Sequence, residues 1–224
     1  MIISLSKTEL KQYVGKQLDH FFPDKYRLEG KDVDTAWELA FDRLEYCFQH
    51  ISRTPYTNGN ETYFYHLHSD QYSQFLYFLS NSLWKLSQNQ VICDKLIYLN
   101  KILNGFFYSY KCELPDIFFF NHPVGSIIGN AAYSDFLVVS QNVTINTGSG
   151  ELGEPSPSIG KFVFLAAGAK IIGDFPIGDH VAIGVDAMVY KKRIPSNSIV
   201  YRDETGEIIV RPYVKDIAQT FFVQ

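Results

Sequence analysis

Apolar residues recur at every sixth position in the C-terminal part of the chain. They form the two series Ile127, Tyr133, Val139, Ile145 and Ile159, Leu165, Ile171, Ile177, Ile183, Val189. A second small or apolar residue follows four positions later, as at Ala131, Leu137, Val143, Val163, Ala169, Phe175, Val181 and Ala187. A period of six matches neither an α-helix nor a single strand. It is typical of a parallel β-helix, in which each coil covers the apolar edge of the preceding one.

The first half of the chain instead has the apolar spacing of amphipathic helices. The predicted helices cover Leu10 to Phe21, a segment capped by Asp32 or Asp34, a segment opening at Ser69-Asp70, and about Val91 to Tyr110. Residues 54–63 contain Pro, Gly and two Asn and are predicted to form a loop. The predicted fold class is therefore α+β, with an N-terminal helical domain followed by a left-handed parallel β-helix of hexapeptide repeats.

These patterns divide the chain into a helical domain at 1–111, a β-helix domain at 112–200 and a C-terminal tail at 201–224. The step from Ile145 to Ile159 exceeds six residues, so residues 146–158 are predicted to form an inserted loop. The register breaks again over 195–224, which holds a short strand at Ile208–Val210. Its apolar end is expected to be available for packing on a neighbouring subunit.

Composition narrows the range of partners. The chain has 224 residues and a net charge of −4, so it has no overall basic field that would attract nucleic acid or an anionic membrane. No apolar run approaches the length of a membrane-spanning helix, and the N-terminus lacks the apolar stretch of a signal peptide. The cysteines Cys47, Cys93 and Cys112 are scattered, which favours buried structural thiols in a cytoplasmic protein.

His122 and His180 are the histidines of the repeat region. His180 stands inside a hexad and is predicted to be a solvated residue of an outer face. His122 follows three phenylalanines at the start of the first coil, and Glu113 and Asp116 precede it closely. A carboxylate that accepts from one imidazole nitrogen leaves the other free as a general base. The residues alone leave a catalytic role and a packing role for His122 open.

Two segments carry a resemblance to a known family. They are HPVGSIIGNAAYSDFLVVSQNVTINTG, from His122, and PSIGKFVFLAAGAKIIGDFPIGDHVAIGVDAMVYKKRIPSNSIV, from Pro157. Together they resemble the catalytic domain of hexapeptide-repeat acetyltransferases, and of serine acetyltransferase in particular. The resemblance covers residues 112–200, whereas the helical half is similar in character only.

The resemblance implies an O-acetyltransferase that moves an acetyl group from acetyl-CoA, as co-substrate, to a small-molecule hydroxyl, without a metal. His122 matches the family's general base, and its acidic partner is expected at Glu113 first and Asp116 second. Residues expected to line the groove for the coenzyme are Thr147, Ala167, Val185, Lys191 and Lys192. A solvated edge remains an equal alternative for the lysine pair. The groove requires two walls, so a homotrimer or a dimer of trimers is expected.

The sequence departs from the family where the acceptor is recognised. Pro155 and Ser156 stand where serine acetyltransferases have an Arg-His pair, and Asn121 replaces the Asp before the histidine. An amino-acid acceptor requires a cation for its carboxylate and an anion for its ammonium group. Enzymes that acetylate sugars, on oxygen or nitrogen, in surface-polysaccharide synthesis are therefore an alternative.

Two other classes of protein are weighed against these enzymes. A β-helix zinc enzyme of the carbonic anhydrase type requires about three histidines around the metal, and the repeat region has two, so this class is rejected. A hexapeptide-repeat protein that has lost its chemistry remains an alternative, because the Arg-His pair is missing. His66 and His68 alternate and are predicted to share a face of a short strand, in a surface or substrate-loop role. Cys112 is interpreted as structural, since direct transfer requires no acyl-enzyme.

Overall fold

The N-terminal half is built around one central helix. The computed structural model describes residues 1–145 and 155–223. Its first elements are β1 (Ile2–Ile3), α1 (Lys7–Phe21), α2 (Lys31–Gln49), β2 (Thr57–Asn58), β3 (Glu61–Phe64), α3 (Ser69–Ser87) and α4 (Gln90–Asn104). Helix α3 is buried from Asp70 to Leu83 because α2 and α4 pack against it and the β region lies across it. The prediction of four helices in this half is confirmed.

The helix ends follow local chemistry and correct two predicted boundaries. Helix α2 begins directly after Gly30, so Asp32 and Asp34 lie in its first turn, where their charge favours the helix N-terminus, and neither is the cap. Helix α4 ends at Asn104 and does not continue to Tyr110. Gly105 follows it in the left-handed conformation, with φ of 60°, and its N–H bonds to the Lys101 carbonyl.

Residues 54–63 are more ordered than the predicted loop. A 3-10 turn at Thr54–Tyr56 leads into an antiparallel hairpin of β2 and β3. Gly59, with φ of 66°, permits the tight connection. Strand β1 then pairs in parallel with β3, so that the N-terminus is fixed to this hairpin.

The second half is a coil of short strands. These strands are β4 (Phe107–Tyr108), β5 (Phe118–Asn121), β6 (Ile127–Ile128), β7 (Ala132–Tyr133), β8 (Leu137–Ser140), β9 (Thr144–Ile145), β10 (Ser158–Ile159), β11 (Phe164–Leu165), β12 (Lys170–Ile172), β13 (Val181–Ile183), β14 (Met188–Tyr190), β15 (Ser198–Arg202) and β16 (Ile208–Pro212). The predicted order, helices followed by parallel β-structure, is confirmed.

Apart from β16, these strands form three parallel sheets. The first sheet contains β5, β8, β11, β13 and β15 in that order, the second contains β4, β6, β9, β12 and β14, and the third pairs β7 with β10. Phe164 pairs with Ala182 and Lys170 with Met188, so successive coils are eighteen residues apart, or three hexads. The chain therefore visits each sheet once per coil.

Turns between the sheets repeat a left-handed backbone conformation. In the turn from the first sheet to the second, Gly125, Asn142, Gly168 and Asp186 all have φ between 52° and 77°. We call this turn, in every coil, the His122 corner. Glycine, Asn and Asp tolerate the left-handed region better than other residues.

A second corner, which leads from the third sheet into the first, uses aromatic residues in the same conformation. Phe136, Phe162 and His180 have φ of 68°, 54° and 54°. Their rings stack, with centroids 4.2 Å apart in the first pair and 5.1 Å in the second. Ring stacking of this kind stabilises a coil corner at positions that otherwise disfavour large residues.

The interior of the coil follows the six-residue series with one shift. Ile145, Leu165 and Ile183 are fully buried, as the period predicts. In the first coil, however, Ile127 is 40% exposed and its neighbour Ile128 is buried, so the inward position lies one residue later there. Alternation along a strand sends adjacent side chains to opposite faces, and a shift of one residue exchanges them.

The C-terminal segment extends the coil and then folds back over it. Strand β15 continues the first sheet in parallel with β13, although the sequence pattern breaks at Pro195, and β16 then pairs with β15 in the antiparallel direction. Phe222 is buried and forms a bridge with Ile51. The apolar end that was expected to be available to a neighbouring subunit thus packs on its own chain.

Aromatic and aliphatic residues of both halves share one buried cluster, which runs without interruption from α1 to the last coil. The division into domains at residues 111 and 200 stays a prediction. Within the described residues, no helix combines the length and the apolar character needed to cross a bilayer.

Gly168 provides a test of the corner geometry. A Cβ at Gly168 would collide with Asp186 Oδ1, and its φ of 72° strains any L side chain. We expect Gly168→Ala to lower the free energy of unfolding by about 1–3 kcal/mol. Gly15→Ala is the control, since α1 leaves open space there, and it should stabilise by about 0.5–1 kcal/mol. Urea denaturation measures both, and a Gly168→Ala protein as stable as the wild type would contradict the assigned corner.

Candidate active site

The site begins with a row of polar side chains on α3. Asp70, Gln74, Tyr77 and Asn81 stand three or four residues apart and therefore lie on one face of the helix. Gln74 donates to the Phe118 carbonyl at 3.0 Å. The first coil has no preceding coil to supply hydrogen bonds, so this row supplies them.

The same row binds the segment that leads into the coil. Tyr77 Oη donates to the Cys112 carbonyl at 3.0 Å and accepts from Leu114 N–H at 2.8 Å. Asn81 donates to the Tyr110 carbonyl at 2.8 Å. These bonds fix the rotation of α3 and thereby fix the position of Asp70 at its first turn.

Asp70 contacts His122 in two ways. Its Oδ2 atom lies 2.9 Å from His122 Nδ1 and also accepts the His122 backbone N–H at 3.2 Å. The Asp70 side chain is buried, whereas the His122 side chain is 76% exposed. The carboxylate thus holds an imidazole that remains open to solvent.

This geometry fixes the tautomer of the imidazole. A carboxylate accepts hydrogen bonds, so Nδ1 of neutral His122 carries the proton and donates it to Asp70. Nε2 is then unprotonated and can accept a proton from a reacting group. The backbone of His122 is itself in the left-handed region, with φ of 54°, which is an uncommon conformation that occurs often at functional sites.

Two further titratable groups adjoin Asp70. His68 Nδ1 accepts the Gln71 N–H at 3.4 Å and so caps α3, and burial lowers the pKa of this imidazole more than nearby Asp70 raises it. Burial, with a smaller contribution from Asp70, raises the pKa of the Tyr56 hydroxyl well above its usual value. Both groups are therefore neutral near pH 7. Strand β3 ends at Phe64, so His66 and His68 lie beyond it and do not share a strand face as predicted. His66 instead bonds to Ser4 Oγ through Nδ1.

A cleft opens beside the His122–Asp70 pair. It has a volume of about 330 Å³ and is lined by Ser69, Asp70, Ser73, Leu103, Asn104, Gly105, Pro123 and Val124. A second cavity of about 530 Å³ adjoins it at Gly105 and extends along the second sheet to Ile127. Asp70 thus contacts the imidazole and lines the cleft.

The carboxylates expected beside His122 lie elsewhere. Glu113 pairs with Lys85 at 2.5 Å, near the C-terminal end of α3, and Asp116 lines a shallow cavity with Lys85 and Arg43. Lys85 is fifteen residues beyond Asp70, which corresponds to about 22 Å along a helix. The structure therefore replaces Glu113 and Asp116 with Asp70 as the acidic neighbour of His122.

The residues expected to bind the coenzyme fall into two groups. Ala167 and Val185 lie at the His122 corner of later coils, where the Asp186 N–H donates to the Ala167 carbonyl at 2.9 Å. Lys191 and Lys192 are exposed at the next corner, beyond β14. The structure thus brings His122, Ala167 and Val185 to one edge of the coil and leaves the lysine pair beyond the second sheet. Thr147 and most of the predicted loop at 146–158 lie outside the described residues.

His180 also has a carboxylate partner, so it is not a solvated face residue as predicted. Its Nδ1 lies 2.5 Å from Asp216 Oδ2 in the C-terminal segment. One face of its ring stacks on Phe162, and the side chain is only 35% exposed. This second pair joins the tail to the coil.

The positions that differ from the family form local contacts. Ser156 Oγ donates to Asp174 Oδ1 at 3.0 Å, and Asn121 Nδ2 donates to Ser140 Oγ at 3.4 Å. Within the part of the chain that the structure describes, no cluster of three or more His, Cys, Asp or Glu side chains is arranged to hold a metal ion.

Comparison with known proteins supports the resemblance. The chain is 28% identical over 134 residues to the serine acetyltransferase of Synechococcus elongatus, which covers 59% of this chain and 54% of that protein. The chain thus spans about half the length of this curated relative. No protein-family model matches the chain.

Solved structures agree on the fold. The serine acetyltransferase of Vibrio cholerae superposes with a TM-score of 0.66 at 19% identity, covering 94% of this chain and 83% of that chain. A serine acetyltransferase in complex with CoA superposes with a TM-score of 0.61 at 16% identity, covering 80% and 74%. The chain therefore resembles serine acetyltransferases in sequence and shares their fold.

The cysteines contribute to packing. Cys47, Cys93 and Cys112 are all buried, and each thiol donates to a backbone carbonyl at 3.2–3.3 Å. Burial raises the pKa of Cys47 and Cys93 to about 12 and that of Cys112 to about 11. Thiolate is the reactive form of cysteine, so these side chains are poor nucleophiles near neutral pH.

We expect all three thiols to be alkylated slowly in the folded protein. With a pKa of about 11, the thiolate fraction at pH 8 is roughly 100-fold lower than that of a free cysteine. Iodoacetamide labelling followed by mass spectrometry measures the rates, with the urea-unfolded protein as the control. Labelling of any one cysteine at equal rates in the two states would contradict its burial.

Proposed function

We propose that this protein is an O-acetyltransferase that moves an acetyl group from acetyl-CoA to the hydroxyl of a small molecule. The observation that carries the proposal is the His122–Asp70 pair, in which a buried carboxylate orients an exposed imidazole beside an open cleft. The fold and the sequence similarity to serine acetyltransferases support the same chemistry.

His122 acts as the general base in this proposal. Its Nε2 atom takes the proton of the acceptor hydroxyl while the oxygen forms a bond to the acetyl carbonyl carbon. As the carbon–sulfur bond breaks, the imidazolium returns the proton to the departing sulfur, which leaves as a thiol. Asp70 stays ionised throughout, holds the tautomer and stabilises the imidazolium, so it is a positioning residue.

We assign the coenzyme to the edge of the coil that carries the His122 corner, where Ala167 and Val185 would line its groove beside Thr147. One structural neighbour is a complex with CoA, which supports this coenzyme. Lys191 and Lys192 lie at the next corner, where they would contact the coenzyme only at its phosphate end. We further take the coil to be a left-handed β-helix, as its likeness to serine acetyltransferases supports. A protein that uses acetyl-CoA and has three unpaired thiols fits a cytoplasmic location.

A homotrimer, or a dimer of trimers, would complete the groove. The outer face of the second sheet exposes Phe107, Ile127, Met188 and Tyr190, each by 38–57%. Phe107 and Ile127 lie at one end of this face and Met188 and Tyr190 at the other, with Thr144 and Lys170 between them in register. Exposed apolar side chains on a rigid sheet are suited to protein contact. We place the neighbouring subunit against this face.

A sugar acceptor is the second candidate. The matched relatives are serine acetyltransferases, yet Pro155 and Ser156 offer no cation for a carboxylate. A hexapeptide-repeat protein without catalysis is disfavoured by the open imidazole of His122. Thiol release from acetyl-CoA, measured with L-serine, homoserine, neutral sugars and nucleotide-linked amino sugars, tests both the activity and the acceptor.

We expect His122→Ala to lower kcat by roughly 10²- to 10⁴-fold, because general-base catalysis contributes about that factor. Acetyl-CoA affinity, measured by calorimetry, should stay within about twofold of the wild type. His180→Ala is the matched control, because it removes the other His–Asp pair of the coil and should leave kcat unchanged. Equal turnover of His122→Ala and the wild type would refute the assignment.

The same assay identifies the positioning carboxylate. Asp70→Asn should lower kcat with little change in the KM for acetyl-CoA, and Asp70→Glu should recover part of the loss. Glu113→Gln removes only the pair with Lys85 and should be as active as the wild type. A large loss of kcat in Glu113→Gln, together with a normal kcat in Asp70→Asn, would instead identify Glu113 as the partner of His122, as first expected from the sequence.

The proposed trimer or dimer of trimers can be tested separately. Met188→Glu places a charge on the exposed face of the second sheet and should shift the sedimenting species from a trimer or hexamer to a monomer. Turnover should fall with it, since the groove would lose one wall. Val214→Glu is the control, because Val214 is 99% exposed on the C-terminal segment. A wild-type monomer with full activity would contradict the proposed assembly.

A further inference from the structure

Ser73 differs from every other buried polar side chain of α3. Its hydroxyl is fully buried and has no hydrogen-bond partner among the described residues. The remaining buried polar side chains all have partners: Asp70, Gln71, Gln74, Ser80, Asn81 and Ser82. An unpartnered buried hydroxyl costs free energy, so its retention requires an explanation.

The position of Ser73 offers an explanation for its unpartnered hydroxyl. Ser73 lines the cleft beside the His122–Asp70 pair, one helical turn beyond Asp70. Its backbone carbonyl accepts the Tyr108 hydroxyl at 3.1 Å, which holds this turn of α3 in place. The Ser73 hydroxyl itself has no exposed surface, so a ligand in the cleft uses its free hydrogen-bonding capacity only when neighbouring lining side chains shift.

The other lining groups indicate the chemistry of that ligand. Asn104 Nδ2 donates to Asn100 Oδ1 at 2.9 Å, which leaves Asn104 Oδ1 able to accept. Ser69 adds a second hydroxyl, and Leu103, Pro123 and Val124 add apolar surface. Within the described residues, no Lys or Arg side chain lines this cleft, and Asp70 would repel a carboxylate.

We propose that this cleft holds the part of the acceptor remote from the reacting hydroxyl and that Ser73 and Asn104 hydrogen-bond to its neutral hydroxyl groups. The acceptor is accordingly a polyhydroxy compound such as a sugar, and L-serine, with its carboxylate, is a poorer one. This inference rests on the proposed function, because it assigns the acceptor side of the same site.

Ser73→Ala should have opposite effects on stability and on acceptor binding. Loss of an unpartnered hydroxyl should raise the melting temperature by about 2–4 °C. Loss of a ligand hydrogen bond should raise the KM for the sugar acceptor by roughly 2- to 10-fold. The KM for acetyl-CoA should not change.

Ser80→Ala is the matched control. Ser80 is an equally buried serine of the same helix, but its hydroxyl donates to the Tyr77 carbonyl at 3.1 Å and it does not line the cleft. This variant should lower the melting temperature and leave both KM values unchanged. A rise in acceptor KM confined to Ser73→Ala therefore supports a ligand contact over a general effect of serine removal.

The acceptor panel separates failure of this inference from failure of the proposed function. If thiol release depends on His122 but Ser73→Ala and Ser80→Ala have equal KM values for every acceptor, the pocket assignment is wrong and the function stands. A higher kcat/KM for L-serine than for any sugar would overturn the acceptor class. If no acceptor releases thiol, or if His122→Ala is fully active, the proposed function fails and this inference fails with it.

Discussion

The structure depends on how the open end of the β coil is covered. A parallel coil pairs each strand with the coils on either side, so its first strand has one edge without a β partner. Helix α3 lies along this end, and its row of Asp70, Gln74, Tyr77 and Asn81 bonds to backbone groups between Tyr110 and His122. A helix in this role satisfies buried polar groups that water would otherwise have to reach. The helical half is therefore the cap of the coil as well as its neighbour.

The candidate site follows from this arrangement. Asp70 is the N-terminal member of the row, and it bonds to the backbone N–H of His122 as well as to the side chain. One carboxylate thus serves both as a backbone cap and as the orienting group of the imidazole. Because Asp70 is buried and fixed by α3, the imidazole is held in one orientation although it is itself exposed. Structural capping and the geometry required for general-base catalysis are supplied by the same contact.

Sequence periodicity predicted the architecture well and the site only in part. Residues that are buried in a coil or a helix recur at regular intervals along the sequence. The coil and the four helices were therefore predictable from the six-residue period and the helical spacing. The end of α4 at Gly105 and the inward shift to Ile128 depend on single turns and were missed. His122 was found because it stands at the start of the coil. Asp70 is 52 residues earlier and reaches His122 only through the packing of α3. Nearness in sequence therefore favoured Glu113, although Ser69 and Asp70 did mark a helix start.

A comparison of His122 with His180 shows what distinguishes a candidate base from a structural histidine. Both residues have φ of 54°, and both place Nδ1 within 3 Å of an aspartate Oδ2 atom. The His–Asp contact is therefore no evidence of catalysis on its own. His180 stacks on Phe162, and its aspartate belongs to the segment that folds over the coil, so this pair fixes the tail. The ring of His122 is exposed, and its aspartate lines a cleft. The access of ligands to Nε2 of His122 is therefore the feature that identifies this residue as the candidate general base.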